Sequence, residues 1–239
     1  MIWDWEPSVV VGCALLAIGY LAIVRKRGLD RAPYFLVGVL LLLLDLVSPI
    51  DTLGDRYLFS AHVLQHFLLA LVIPPLFLLG TPAFNLGRLS KLELAIGQPP
   101  VSWLLGVCTM LAWHVPALFN AALANDGLHI AQHLSFLVSG TVFWWPILGP
   151  AQDRRLEPVR AVAYLFSACV CCSLLGAFLT FAPVGLYPAY LNSPERLWGL
   201  DPQSDQQLGG MLMWVPGCFV YLAGILSVLR RWYGTERTA

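Results

Sequence analysis

The sequence predicts an all-α polytopic membrane protein, a bundle of seven transmembrane helices with its N-terminus outside and its C-terminus inside. Three observations carry this reading. Of 239 residues, 58% are hydrophobic and only 12% charged, where a soluble domain has roughly 45–50% apolar and about 25% charged residues. That leaves too little charge to cover a globule in water, and the mean hydropathy of +0.72 agrees. The apolar residues gather in runs near the about 17–25 residues that cross a bilayer as a helix, and they do not alternate as barrel strands would. Finally, the basic residues collect on one set of flanks. Fourteen basic and fourteen acidic residues cancel, so no net field recruits polyanions. A nucleic-acid binder, a secreted soluble domain and a disordered chain are excluded.

The seven segments follow in order, as one integral membrane domain over residues 1–239. Span one, Ser8–Val24, follows Trp3 and Trp5, which suit the membrane interface. No basic residue precedes it, unlike a signal peptide. Span two, Ala32–Val47, is short enough to extend into its flanks and carries Asp45 at its outer end. Span three, Ala61–Gly80, opens with His62 and His66. Span four, Val101–Ala117, closes with His114. Span five, Leu128–Leu148, opens with His129 and His133. Span six, Val159–Phe181, holds Cys169, Cys171 and Cys172. Span seven, Leu208–Leu229, contains Met211 and Met213 and follows Asp205.

Charge sets the orientation. One group of flanks holds Arg25, Lys26, Arg27, Arg31, Arg88, Lys91, Arg154, Arg155, Arg160, Arg230, Arg231 and Arg237, and the other holds only Arg56 and Arg196. Positive residues stay inside, so every histidine of the chain falls in or near the outer leaflet.

Spacing sharpens the histidine pattern. His62–His66 and His129–His133 are i, i+4 pairs, which put two imidazoles on one helix face about 6 Å apart along the axis. A helix presents two nitrogen ligands to one metal in this way. Both segments read His-x-x-Gln-His, with Gln65 and Gln132, and both later reach Leu-Gly and a proline. Spans three and five run the same way, which suggests a faint parallel repeat. Val63 and Leu64 occupy the interior positions of the first motif, so it lacks the glutamate of a His-Glu-x-x-His zinc peptidase. Ionisable residues at membrane depth are functional candidates by default, and the five histidines are the predicted metal ligands. The deeper His66 and His133 should matter more than His62 and His129, because an unpaired imidazole costs more away from water.

Other residues share this depth. Asp205, Asp126 and Asp45 can each ligate, orient an imidazole or cap a helix. An acid such as Asp45 inside an apolar run costs about 2.5–3.5 kcal/mol on insertion scales. Met110 lies one turn from His114, and the thioethers of Met211 and Met213 suit Cu(I). Cys169, Cys171 and Cys172 count to the middle of span six, away from the histidine layer, and read as packing. All six cysteines lie inside apolar runs, which is not the pattern of a disulfide framework.

The residues resemble the seven-span CtaG-like family of bacterial cytochrome c oxidase assembly factors. The matching stretches are Leu58 through His66, Trp113-His114-Val115-Pro116, Asn125 through His133, Phe143-Trp144-Trp145-Pro146, and Asp205 through Gly210 with Met213-Trp214-Val215-Pro216-Gly217. They run in order over about residues 45–220. The resemblance implies assembly of haem–copper oxidase in the bacterial plasma membrane by a chaperone that handles copper for an oxidase centre. Carried over, the five histidines and Asp205 are the functional positions. Leu64 and Phe67 stand where the family pattern leads one to expect methionines.

The reading is therefore a membrane-embedded, copper-binding assembly factor and not an enzyme. Its metal is Cu(I) or Cu(II), bound by His62, His66, His114, His129, His133 and Asp205, with Asp45, Asp126 and Met213 as lesser candidates. Its partners are oxidase subunits and the bilayer; homo-oligomerisation stays open. Imidazoles allow ligand exchange with a partner approaching from the periplasmic or extracellular side, and the three cysteines of span six are expected to be dispensable. The competing readings are a bis-histidine haem protein, a zinc-dependent membrane metallohydrolase, and a transporter or scaffold.

Overall fold

The computed structural model of the chain describes residues 3–26, 28–82, 97–193 and 195–236. Among these residues every regular element is helical and there is no strand. Arg27, Arg88, Lys91 and Arg237, all counted on the basic flanks, lie outside the described residues.

Helix α1 (Pro7–Val24) is followed by helix α2 (Ala32–Val47). The outward face of α1 is apolar, with Val11, Leu15 and Ile18 exposed, as a lipid-facing helix requires. α2 ends at Ser48, and the chain resumes as α3 (Pro49–Arg56) after a bend of 47°. Pro49 forces this break, since it has no N–H for the helix behind it but suits the first turn of the next one. Ser48 Oγ caps α3 by accepting from Ile50 N at 3.3 Å. Helix thus continues beyond Val47, but through a bend.

Next comes a continuous rod, Phe59–Gly80. It consists of α4 (Phe59–Phe67), a π-helical turn (Leu68–Val72) and α5 (Ile73–Gly80). The π turn has a cause in the sequence. Pro74 and Pro75 cannot return hydrogen bonds to the carbonyls of Ala70 and Leu71, and Ile73 N donates instead to Leu68 O, five residues back. Gly140 of the neighbouring helix packs against the freed Ala70 carbonyl, so closely that a Cβ there would run into it.

Helix α6 (Pro99–Trp113) and helix α7 (Pro116–Leu123) meet at 73°. The expected continuous span Val101–Ala117 is therefore broken. Val115 precedes a proline and is extended, with φ −63° and ψ 123°, and His114 is left as the C-cap residue just after α6. Helix α8 (Asp126–Leu148) is capped by Asn125, whose Oδ1 accepts from Leu128 N at 2.9 Å. Helix α9 (Pro158–Phe181), the short α10 (Pro188–Leu191) and α11 (Pro202–Glu236) complete the chain. α11 starts earlier than the hydropathy of span seven implies. Its polar first turn is held by Asp201, whose Oδ1 accepts from Gln203 N and Ser204 N. These bonds, led by that from the Ser204 hydroxyl, hold the Asp201 carboxyl below its usual range.

Four stretches are long and apolar enough to cross a membrane: α1, the rod Phe59–Gly80, α9 and α11. Counting each bent pair, α2 with α3 and α6 with α7, as one crossing brings the number to six. α8 has the length, 23 residues, but His129, Gln132 and His133 dilute its apolar content. α9 and α11 pack antiparallel, with Gly210 against Thr180 and Gly224 against Leu165. At one end of the bundle, Arg155 donates to the Gly149 and Leu148 carbonyls and Arg231 to the Ile147 carbonyl. These cations complement the C-terminal end of α8. The histidines lie towards the other end of α8.

Candidate metal centre

α4 and α8 run side by side in the same direction, and their histidines match in layers. The His62 and His129 rings are 5.3 Å apart and the His66 and His133 rings 5.7 Å. Within each helix the i, i+4 partners stand 4.3 Å (His62–His66) and 4.2 Å (His129–His133) apart. His114, delivered by the end of α6, comes within 5.9 Å of His66. All five imidazoles thus converge, from three elements.

Two ligand groups result. His62, His66 and His133 each offer a ring nitrogen, all within 4.8 Å of one another, and Asp55, His62 and His129 form a second group under the same limit. Nitrogens about 2.0–2.1 Å from one ion lie a little closer together than this, so small side-chain adjustments close either group. His62 belongs to both. Its side chain is 0% exposed, whereas His129 is 15% and Asp55 33% exposed, so the second group reaches the surface. Burial does not follow position along the helix: His62 is as buried as His66, and His133 is only partly buried.

The nitrogens are poorly satisfied. His62 Nε2, both nitrogens of His66, His114 Nε2 and His133 Nε2 are buried without a hydrogen-bond partner. His129 Nε2 has Asp55 Oδ1 at 3.5 Å. Each buried unpaired group costs about 1–3 kcal/mol, and a cation would convert that cost into ligation. The neighbouring backbone selects the tautomer: His114 Nδ1–H donates to Met110 O at 2.7 Å, leaving the Nε2 lone pair free.

Tyrosines and phenylalanines hold this arrangement. Tyr190 donates to Gly54 O and Tyr187 to His114 O, at 2.7 and 2.8 Å. Phe119 covers His62, with 4.9 Å between ring centres. Gly54 lets α3 approach α4, because a Cβ there would sit 3.0 Å from His62 Cα. Gln65, wholly buried, donates to Asp51 Oδ1 and to the Asp45 carbonyl, tying α2 and α3 to α4.

The acidic candidates separate. Asp205 is in neither ligand group; its carboxylate accepts from Phe59 N, Ser60 N and Ser60 Oγ and so caps α4 from a distant part of the chain. Asp126 is exposed in the first turn of α8 and leaves the capping to Asn125. Asp45 is buried and both its carboxylate oxygens lack a donor, but it joins no ligand group. Asp55 was missed by sequence reasoning. It lies between two apolar runs, and its only signal was the i, i+4 acidic pair with Asp51.

Beside the histidines lies a cavity of about 20 Å³, lined among others by His66, His114, Met110, Met213, Phe136 and Cys172. Cys172 is therefore not remote from the histidine layer. Cys169 and Cys171 do not line the cavity, nor does Met211.

The model of one protein family, described as cytochrome c oxidase caa3 assembly factor, matches residues 17–235. The chain belongs to this family. All five histidines, Asp55 and the cavity residues lie inside the matched region. Its relatives include an uncharacterized protein of Mycobacterium leprae, 22% identical over 97% of this chain and 39% of the relative. Uncharacterized proteins of Mycobacterium bovis and Mycobacterium tuberculosis are each 25% identical over 99% of this chain and 40% of their own length. The chain thus spans about two fifths of the length of these relatives. No solved structure matches it significantly.

Proposed function

We propose that this assembly factor binds copper as cargo at the histidine cluster and hands it to a copper centre of cytochrome c oxidase. One observation carries the reading: five imidazoles from three elements meet in a cluster, and His62, His66, His114 and His133 each hold at least one buried ring nitrogen without a hydrogen-bond partner. Imidazole accepts both Cu(I) and Cu(II). Asp55 and His129, at the exposed edge, supply the way in and out. The protein is a chaperone and not an enzyme, and oxidase subunits are its partners. It sits in the bacterial plasma membrane with seven crossings, α8 being the seventh, its N-terminus outside, its C-terminus inside, and the cluster towards the periplasmic or extracellular side. The basic flanks support that orientation. Close packing disfavours haem, since a cavity of about 20 Å³ takes a water or a single ion and not a macrocycle.

The test is cellular. Replacing His66 together with His133 by alanine should lower the copper content and activity of the terminal oxidase while the assembly factor stays at normal abundance. Normal oxidase copper in that variant would overturn the reading. Elemental analysis of the purified protein identifies the metal, and zinc in place of copper would favour the hydrolase reading instead.

A further inference from the structure

We propose a second, sulfur-rich site for Cu(I) beside the histidine cluster, formed by Cys172, Met110 and Met213 with the free nitrogen of His114. It rests on the copper reading only for the identity of the cargo; the donor set itself selects a soft monovalent ion.

Three elements bring the donors together. Cys172 comes from α9, Met110 and His114 from α6, and Met213 from α11, and all line the cavity of about 20 Å³. Cys172 Sγ lies 3.5 Å from Met110 Sδ. Two sulfurs each about 2.3 Å from one ion lie about 3.5–4 Å apart at near-trigonal angles, so the spacing already fits. Cys172 Sγ also sits 2.9 Å from the Tyr221 hydroxyl, which can donate to a thiolate. The second, independent pointer is His114. Only 5% exposed, it has its Nδ1 engaged by Met110 O and its Nε2 without a partner.

Charge favours this ion. One thiolate and one Cu(I) sum to zero, so the pair avoids the cost of an uncompensated buried charge. The remaining donors are neutral. His66 joins the two sites: it lines the cavity, belongs to the ligand group with His62 and His133, and has both nitrogens free. The π turn supplies Ala70 and Leu71 to the same wall, and such turns within α-helices occur frequently at functional sites.

The experiment uses the full chain in detergent, oxygen-free and reduced, titrated with Cu(I) against a chromophoric chelator and examined by copper X-ray absorption. The wild type should show sulfur as well as nitrogen neighbours and a thiolate-to-copper band in the ultraviolet. Cys172→Ser with Met110→Leu should lose the sulfur signal and one equivalent of Cu(I), with helical circular dichroism unchanged. His62→Ala with His133→Ala should keep the sulfur signal and lose nitrogen-bound copper. Loss of copper only in the sulfur variant would retain the soft site and remove the histidine cluster as cargo site. Copper bound by nitrogen alone in the wild type would overturn the proposal, needs no substitution to observe, and would mean the cavity holds water.

Discussion

Asp205 caps the helix that carries His62 and His66. Its Oδ2 accepts from Phe59 N at 2.7 Å, and its Oδ1 accepts from Ser60 N at 3.1 Å and from Ser60 Oγ at 2.6 Å. An ionised side chain at a helix N-terminus satisfies donors that the helix cannot. The carboxylate expected as a ligand is engaged by the first turn of the helix that presents the histidines. Asp205→Ala should destabilise the protein by about 2 kcal/mol, the upper end for lost caps. The checking measurement is the thermal unfolding midpoint of the metal-free protein. An unchanged midpoint with lost metal binding would restore Asp205 as a direct ligand.

His62 is shared by both ligand groups, while His129 belongs only to the one with Asp55. His62→Ala should therefore weaken metal binding more than His129→Ala, which leaves the His62–His66–His133 group intact. Titration of the two purified variants decides this. Equal losses would mean that the two groups do not act as separate sites.

Asp55→Asn keeps the shape of the outer group but removes its charge. It should lower metal affinity at that group by roughly tenfold or more, as expected for losing about 1.4 kcal/mol or more of electrostatic attraction. The variant should release a mobile metal faster if Asp55 guards the exit. An unchanged affinity and release rate would remove Asp55 from the binding set.

Gly140→Ala places a methyl where the Ala70 carbonyl sits at the π turn. The two segments must separate, at a cost of about 1–3 kcal/mol. Gly12→Ala, with nothing within 4 Å of the new carbon, is the control and should be neutral or slightly stabilising. Comparing unfolding midpoints tests this pair, and an equal response would show that the close approach of Gly140 carries no constraint.

Reporter fusions test the orientation. Fusions at Gly28 and Ala151 should read cytoplasmic and one at Asp126 external, from the distribution of basic residues. The reverse pattern would place the histidine cluster on the cytoplasmic side and exclude direct delivery to an outward-facing copper centre.

The sequence by itself determined the features that are local in the chain. Composition dictates a helical membrane protein, because lipid offers no partner for an unpaired backbone. The i, i+4 pairs His62–His66 and His129–His133 were legible because a helix turns every 3.6 residues wherever it sits. The helix starts at Ala32 and beside Val159 were legible from the onset of apolar runs. Only the tertiary structure decided what depends on which helices touch. It brought the histidine layers of α4 and α8 face to face, and it brought Asp55 to His62 and His129 through the bend at Pro49. Asp205 became the cap of a helix some 145 residues away, and Cys172 came up to Met110. Depth along one helix does not say which donors of other helices it will meet, because each helix enters the bundle with its own bend, tilt and rotation. Those follow from side-chain packing between distant segments, which no local spacing records.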